Sequence, residues 1–193
     1  LTLLSAKKLP VDAYVEIMSL PHVLGIAHLP IDASPYLKPN PQRAQAMQAM
    51  LDECFPKKRF RLGLRWQREG AGSPRCIDLK LLAPLADLPM DIVSLHYGSL
   101  TGKDLKMTSD WDNFMHPNLN FVDLPAMMSQ LDCVLSVDTV TTHVAGAIGH
   151  PTIAMIPTFI NWRWGRGTPS SPWYENQMII RQSRYQSWED VAE

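Results

Sequence analysis

The chain has 193 residues, of which 46% are hydrophobic, and this size and composition suit one globular domain or one domain with part of a second. The formal net charge of −1 argues against a nucleic-acid-binding surface, because such surfaces are strongly basic. The apolar runs are short and interrupted by polar residues, so the sequence predicts no transmembrane segment.

The cysteine and histidine spacing argues against a metal site. Cys54, Cys76 and Cys133 are odd in number and have no Cys-x-x-Cys spacing, which is typical of a reduced, cytoplasmic protein without a structural zinc. His143 and His150 lie seven residues apart and need not share a face, and no His-Glu-x-x-His motif occurs. The sequence therefore predicts neither a metal nor a cofactor.

The first forty residues differ in pattern from the rest. Residues 1–40 consist of apolar pieces broken by prolines, a pattern that is hard to fold by itself. Asn40 followed by Pro41 predicts a helix start, and helical spacing continues to Phe55. We therefore expect a boundary between 1–40 and 41–193.

Strands then alternate with helices along the chain. The predicted strands are 59–66, 90–98, 118–123, 133–138, 151–157 and 177–181. The predicted helices are 77–89, 124–132 (with Asp123 as its cap), 139–150 and one that begins near 187. Because several of the strands are apolar on both faces, this order predicts an α/β fold, a Rossmann-like parallel sheet with helices on both faces.

Ligands of such open sheets bind beyond the carboxyl ends of the strands. We therefore expect four segments to gather along one edge of the sheet: 65–75, 96–98, 138–143 and 157–173.

The junction SVDTVTTHVAGAIG carries the densest set of polar groups in this pattern. Its strand ends at Asp138, and the free amides and positive end of the following helix suit an anion such as a diphosphate. Thr139, Thr141 and Thr142 can add hydroxyl donors, and His143 follows one turn later. A second interpretation stays open, in which Asp138 or Thr139 only caps the helix and His143 packs against a neighbour.

The loop after the first strand contributes positive charge. Arg68 and Arg75 flank several small residues and could reach a phosphate, or they could simply be solvated. No P-loop, no Gly-x-Gly-x-x-Gly after a strand and no Gly-x-Ser-x-Gly elbow occurs, so NTP hydrolysis, dinucleotide binding and serine-hydrolase chemistry have no support.

A family resemblance follows from these motifs. Three stretches resemble the C-terminal half of the heptosyltransferase-like glycosyltransferases (glycosyltransferase family 9). They are FVDLPAMMSQLDCVLSVDTVTTHVAGAIGHPTIAMIP, NWRWGRGTPSSPWYENQMIIRQ and SWEDV. The sequence most resembles bacterial members that follow tetratricopeptide repeats. The resemblance extends upstream. The family's inter-domain segment is similar to VDAYVEIMSLPHVLG, the first strand of its C-terminal domain to LGLRW, and a later strand end of that domain to VSLHYG.

The resemblance implies a GT-B architecture of two Rossmann-like domains, of which this chain is the C-terminal one. Residues 1–40 would be the end of the N-terminal, acceptor-side domain with the inter-domain crossover, and 41–193 the nucleotide-sugar-binding domain. By the same resemblance, Arg75 falls near a basic residue that the family has after its first strand and would help to bind the donor. His96 and Gly98 would lie on the base and ribose side. The implied diphosphate-binding residues at the junction are Asp138, Thr139, Val140, Thr141, Thr142 and His143.

The implied activity is metal-independent transfer of a hexosyl or heptosyl group from a nucleoside-diphosphate sugar to a hydroxyl acceptor. The acceptor would be a glycan, a lipid-linked group or a protein, and the catalytic base would lie in the N-terminal domain, so that this chain alone is inactive. The alternative is a non-catalytic module that binds a nucleotide sugar or a glycan within a repeat-containing protein. The expected partners are an N-terminal domain or repeats of the parent chain, upstream of this sequence, and no nucleic acid is expected.

The aromatic loop before the last strand has two interpretations. Trp162, Trp164, Trp173 and Tyr174 could stack on a sugar, or they could hold a long loop against its own domain. We expect the second, structural role.

Overall fold

The computed structural model describes residues 12–26, 32–67, 73–96, 100, 102–158, 161–165, 167–185 and 187–192. The chain divides into two compact units, Leu1–Pro30 and Ile31–Glu193. Within the first unit, the 3₁₀ helix Ile17–Ser19 and helix α1, Leu20–Val23, contain no buried residue. Across the described ranges, no helix combines the length and apolar character needed to cross a membrane.

The second unit contains one sheet and its covering helices. Its strands are β1 Phe60–Arg65, β2 Met90–Ser94, β3 Phe114–Met115, β4 Cys133–Val137, β5 Thr152–Ile156 and β6 Gln177–Arg181. Its α-helices are α2 Pro41–Cys54, α3 Gly102–Thr108, α4 Leu124–Met128, α5 Val140–Ala147 and α6 Glu189–Ala192. Two 3₁₀ helices, Leu79–Asp87 and Trp162–Trp164, complete the described elements.

The strand order is β3-β2-β1-β4-β5-β6, and every neighbouring pair is parallel. The order reverses between β1 and β4, which is the doubly wound arrangement of Rossmann-like folds. The predicted α/β sheet is therefore confirmed. A crevice is expected where β1 and β4 end, since the chain leaves these two strands in opposite directions.

Apolar side chains cover both faces of the sheet. On one face Val93, Leu95 and Val134 pack with Leu51 of α2 and Met127 of α4. On the other face a second cluster forms from buried side chains of the sheet, the 3₁₀ helix and the C-terminal segment: Leu64, Ile92, Val137, Met155, Leu79, Leu82 and Trp188. The sheet is thus the middle layer of three, as continuous apolar strands require.

Helix α2 begins where the sequence indicates. The side chain of Asn40 accepts a hydrogen bond from the Arg43 amide at 3.0 Å, and Pro41 occupies the first turn. Just upstream, the amides of Tyr36 and Leu37 both donate to the Ala147 carbonyl at 2.9 Å. These bonds tie residues 36–37 to the end of α5.

Residues 121–123 form a turn and Leu119 makes only a single bridge, so the strand predicted over 118–123 is wrong. The side chain of Asn120 accepts hydrogen bonds from the Val122 and Asp123 amides at 2.9 and 3.1 Å, and such local bonds compete with strand pairing. Asp123 precedes α4 but makes no capping bond with its side chain, which pairs with Arg43 instead. The edge strand is the two-residue β3.

The helix predicted over 77–89 is a 3₁₀ helix. It is capped by Asp78, whose side chain accepts a bond from the Lys80 amide at 3.1 Å. Pro84 lies within it, and in an α-helix its ring would clash with the carbonyl four residues earlier, which disfavours the α form.

Candidate functional site

Two of the predicted site residues meet where β1 and β4 end. Arg65 and Ser136 are paired at the ends of these strands, so the chain segments that follow them start side by side. Asp138 follows β4 and is buried, with 3% of its side chain exposed. The Arg75 Nε lies 3.4 Å from its Oδ2, while a third of the Arg75 side chain stays exposed. Arg75 thus pairs with a buried carboxylate, and part of its side chain stays open to solvent.

Helix α5 begins without a side-chain cap from its own N-cap residue. Thr139 has an extended backbone (φ −138°, ψ 176°) and its side chain makes no capping hydrogen bond. Its hydroxyl lies 3.4 Å from Ser136 Oγ instead. Because Asp138 pairs with Arg75, the simple capping interpretation does not describe what either side chain does here.

The threonine hydroxyls point into the protein. Thr142 Oγ1 lies 3.0 Å from Ser136 Oγ and 2.8 Å from the Val137 carbonyl, and it ties the helix to the end of β4. Thr141 is fully buried and its hydroxyl has no hydrogen-bond partner among the described residues. Val140, by contrast, is exposed at the first turn. The groups that this junction can offer an anion are therefore backbone amides rather than the hydroxyls that the sequence suggested.

His143 lies one turn into α5 and has a defined neighbour at each nitrogen. Its Nδ1 is 3.1 Å from the Tyr174 hydroxyl and its Nε2 is 4.0 Å from Asp138 Oδ1. Its ring stacks on Trp164 with centroids 5.1 Å apart and planes 17° apart. Burial lowers the pKa of His143 below its usual range, and Arg163 lowers it further while Asp138 opposes the shift. The imidazole is therefore neutral near pH 7, so one ring nitrogen can donate a hydrogen bond and the other can accept one.

The aromatic loop divides into a buried and an exposed part. Trp164 is fully buried against Ala154, Ile156 and Ile179. Trp162 is 44% exposed and meets Trp173 edge-to-face at 5.7 Å. The burial of Trp164 supports the structural role expected for this loop.

His96 belongs to a different group from the junction residues. It follows β2 and is buried with 6% exposure, its ring centroid 3.8 Å from that of Trp66. Its Nε2 has no hydrogen-bond partner among the described residues. Burial lowers the pKa of His96 to about 2, and the charges of Arg65 and His116 add to the shift. The structure thus places His96 in the interior, and Gly98, predicted beside it, lies outside the described residues.

One contact of the site escaped the sequence analysis. Tyr174 was recognised only as part of the aromatic loop, yet its hydroxyl reaches His143 across 31 positions of the chain. A Cβ added at Gly146 would collide with the Tyr174 ring, so the small residue in α5 is what admits the tyrosine. The sequence signal was the conjunction of SPWY with the small-residue helix. In the described part of the chain, no group of three or more His, Cys, Asp or Glu side chains is placed to hold a metal ion.

Comparisons with known proteins bear on the fold and on the C-terminal half. The family model "Glycosyltransferase family 9 (heptosyltransferase)" matches residues 104–193, and no curated protein sequence matches the chain. A family 9 glycosyltransferase from Veillonella parvula aligns over 79% of this chain and 44% of its own, with 12% identity and a TM-score of 0.58. E. coli ADP-heptose LPS heptosyltransferase II aligns over 79% of this chain and 47% of its own, with 17% identity and a TM-score of 0.55.

The chain therefore spans less than half of the length of each of these two structures. At such identities the structural likeness concerns the fold, and it confirms the Rossmann-like domain of GT-B type that the sequence resemblance implied. The family model adds evidence from the sequence itself, and residues 104–193 are accordingly similar to glycosyltransferase family 9.

Proposed function

We propose that this chain is the donor-binding half of a glycosyltransferase, which transfers a sugar from a nucleoside-diphosphate sugar to a hydroxyl acceptor without a metal. The observation that carries the proposal is the pairing of partly exposed Arg75 with buried Asp138 beside the first turn of α5, at the switch point of the sheet. The family 9 match over residues 104–193, which include Asp138 and α5, supports it.

The diphosphate would bind at the amides of the first turn of α5. Three kinds of group favour negative charge there: the amides and positive end of the helix, the Arg75 guanidinium, and the imidazole of His143. During transfer the bond from the sugar to the diphosphate breaks, and these groups would stabilise the charge that develops on the leaving phosphate. Arg75 and the positive end of the helix can supply this stabilisation in place of a metal cation.

The acceptor hydroxyl must lose its proton to a base, which we place outside this chain, in an N-terminal domain. Asp138 lies beside the proposed site, but it is buried and paired with Arg75. A carboxylate held in this way is placed to position Arg75 and His143. The same observation favours the second candidate, a module that binds a nucleotide sugar or a glycan without catalysis.

The finer features follow from the family resemblance alone. We propose residues 1–40 as the end of the acceptor-side domain with the crossover, and 41–193 as the donor domain. Hexosyl or heptosyl transfer, a glycan, lipid-linked or protein acceptor, a repeat-containing bacterial parent protein and a cytoplasmic location belong to the same proposal.

Calorimetric titration with UDP, GDP and ADP tests the donor site, and Val140→Pro sharpens the test. Proline is tolerated at the first position of a helix, and Thr139 already has the extended backbone that a residue before proline adopts. The substitution deletes one amide and little else, so we expect about 10- to 100-fold weaker binding of whichever nucleotide binds.

Val140→Ala is the matched control, because it shortens the same exposed side chain and keeps the amide. We expect it to bind like the unchanged chain. Failure of all three nucleotides to bind the unchanged chain would overturn the donor site. Equal affinity of the proline and alanine variants would show that the diphosphate does not bind at these amides.

The second expectation is binding without turnover by this 193-residue chain. Transfer needs a positioned base and a cleft closed against water, and we assign both to a second domain. Donor hydrolysis and transfer are measured in EDTA beside a binding titration. We expect binding to persist in EDTA and product to stay at background. Multiple turnover would place the base within this chain, whereas loss of binding in EDTA would mean that a cation takes part.

A further inference from the structure

The imidazole of His143 is held on three sides. Trp164 stacks on one face, the Tyr174 hydroxyl lies 3.1 Å from Nδ1, and Asp138 Oδ1 lies 4.0 Å from Nε2. About a quarter of the side chain, 27%, stays exposed. Because the two nitrogens face different groups, the position of the single ring proton decides what His143 offers to a ligand.

The phenol and the imidazole are both neutral near pH 7. Burial raises the pKa of Tyr174 above its usual range, and burial lowers that of His143. One proton therefore resides on the phenol oxygen and one on the imidazole ring. The contact between them is a hydrogen bond in one of two directions.

The carboxylate of Asp138 decides between the two directions. The Tyr174 hydroxyl also lies close to Tyr36, but its one proton cannot serve both neighbours. A protonated Nε2 is attracted by the Asp138 carboxylate, whereas a bare Nε2 lone pair is repelled by it. With the ring proton on Nε2, Nδ1 must accept, so Tyr174 donates to it rather than to Tyr36.

We propose that Tyr174 is a positioning residue that holds His143 in the Nε2-protonated tautomer by donating its phenolic hydrogen to Nδ1. Nε2–H then presents a donor on the side of the ring that faces Asp138 and the start of α5. Such a donor suits an anionic oxygen and would reject a ligand group that is itself a donor. The identity of that oxygen as a phosphate rests on the proposed function, but the tautomer does not.

Gly146 makes the contact between Tyr174 and His143 possible. It lies in α5, and the Tyr174 ring occupies the space that its side chain would fill. Gly146→Ala therefore moves the phenol away from His143 without deleting the hydroxyl.

Nitrogen-15 NMR of the histidine-labelled full chain tests the proposal directly, with His143→Ala used for assignment. We expect the Nε2-protonated signature in the unchanged chain. In Tyr174→Phe we expect the Nδ1-protonated signature to gain intensity at a pH where the ring is neutral, because the donor that kept Nδ1 without a proton is lost. Gly146→Ala should change the ratio of the two signatures in the same direction as Tyr174→Phe.

Tyr36→Phe is the matched control, since it removes the other hydroxyl in contact with Tyr174. It should keep the tautomer and leave the titration of His143 close to that of the unchanged chain. An Nδ1-protonated ring in the unchanged chain, or a tautomer ratio that stays the same in Tyr174→Phe, would overturn the proposal.

Binding links the tautomer to the ligand. Titration with UDP, GDP and ADP should show roughly five- to tenfold weaker binding by Tyr174→Phe. Equal affinity would separate the tautomer from the anion site and refute that part of the proposal. If none of the three nucleotides binds the unchanged chain, the proposed function fails, and the NMR results still decide the role of Tyr174.

Discussion

Replacement of Trp164 by alanine is expected to lower the free energy of unfolding by about 3–5 kcal/mol, the usual cost of deleting a fully buried aromatic side chain. The indole fills the space between Ala154, Ile156 and Ile179 and supports the ring of His143. Its loss would therefore leave a cavity behind the site as well as an unsupported imidazole. Urea denaturation followed by fluorescence and circular dichroism measures the change.

Trp162→Ala is the matched control for this prediction. Trp162 belongs to the same short helix but is 44% exposed, and we expect a loss of less than about 1 kcal/mol. A Trp164→Ala variant that keeps its stability but loses nucleotide-sugar binding would contradict the structural role of this loop. The loop would then have to be a sugar-binding wall, the alternative that the sequence left open.

The positions of most strands along the chain could be predicted because the relevant signals are local. Apolar runs bounded by turn residues located five of the six strands, and Asn40 with Pro41 located the start of α2. The sixth strand, Phe114–Met115, has two residues and no periodicity to detect. The false strand at 118–123 arose because Asn120 bonds to amides two and three positions later, a contact that hydrophobic pattern does not report.

The site could be predicted in part, for a geometric reason. Carboxyl ends of parallel strands share an edge, and this alone predicts that the segments holding Arg75 and Asp138 approach one another. The direction of each hydroxyl depends on the rotation of α5 about its axis, which buries Thr141 and Thr142. The path of the loop that brings Tyr174 to His143 depends on packing against Gly146, which sequence spacing does not encode.

His96 illustrates the same limit from the other side. A histidine at the end of a strand at this edge is expected to face a ligand, yet this ring packs on Trp66 inside the protein. Whether such a side chain turns inward depends on the space beside Trp66, which no local pattern records. Its burial has a measurable consequence for stability.

Acid is expected to destabilise the fold between about pH 6.5 and pH 2 through His96. Its pKa is about 2 in the folded chain, against 6.5 for an ordinary histidine, because burial and the nearby charges of Arg65 and His116 disfavour the charged ring. The unfolded chain therefore binds a proton below pH 6.5 that the folded chain does not bind. The contribution of neutral His96 to stability is complete above pH 6.5 and falls as the pH is lowered, by about 1.4 kcal/mol per pH unit.

Denaturation at pH 7 and pH 5 isolates this effect through His96→Phe, which keeps a ring against Trp66 but cannot take up a proton. The loss of stability from pH 7 to pH 5 should be about 2 kcal/mol smaller in the variant than in the unchanged chain.

Burial also lowers the pKa of His143 and His150, so part of the acid sensitivity should persist with the same sign. His22→Phe, at an exposed position of the first unit, controls for the removal of a histidine as such. Comparing the two pH values within each variant cancels any change in packing. If His96→Phe keeps the full loss between pH 7 and pH 5, His96 is accessible to protons in the folded chain, and a ligand-facing position at the base and ribose side becomes the better description.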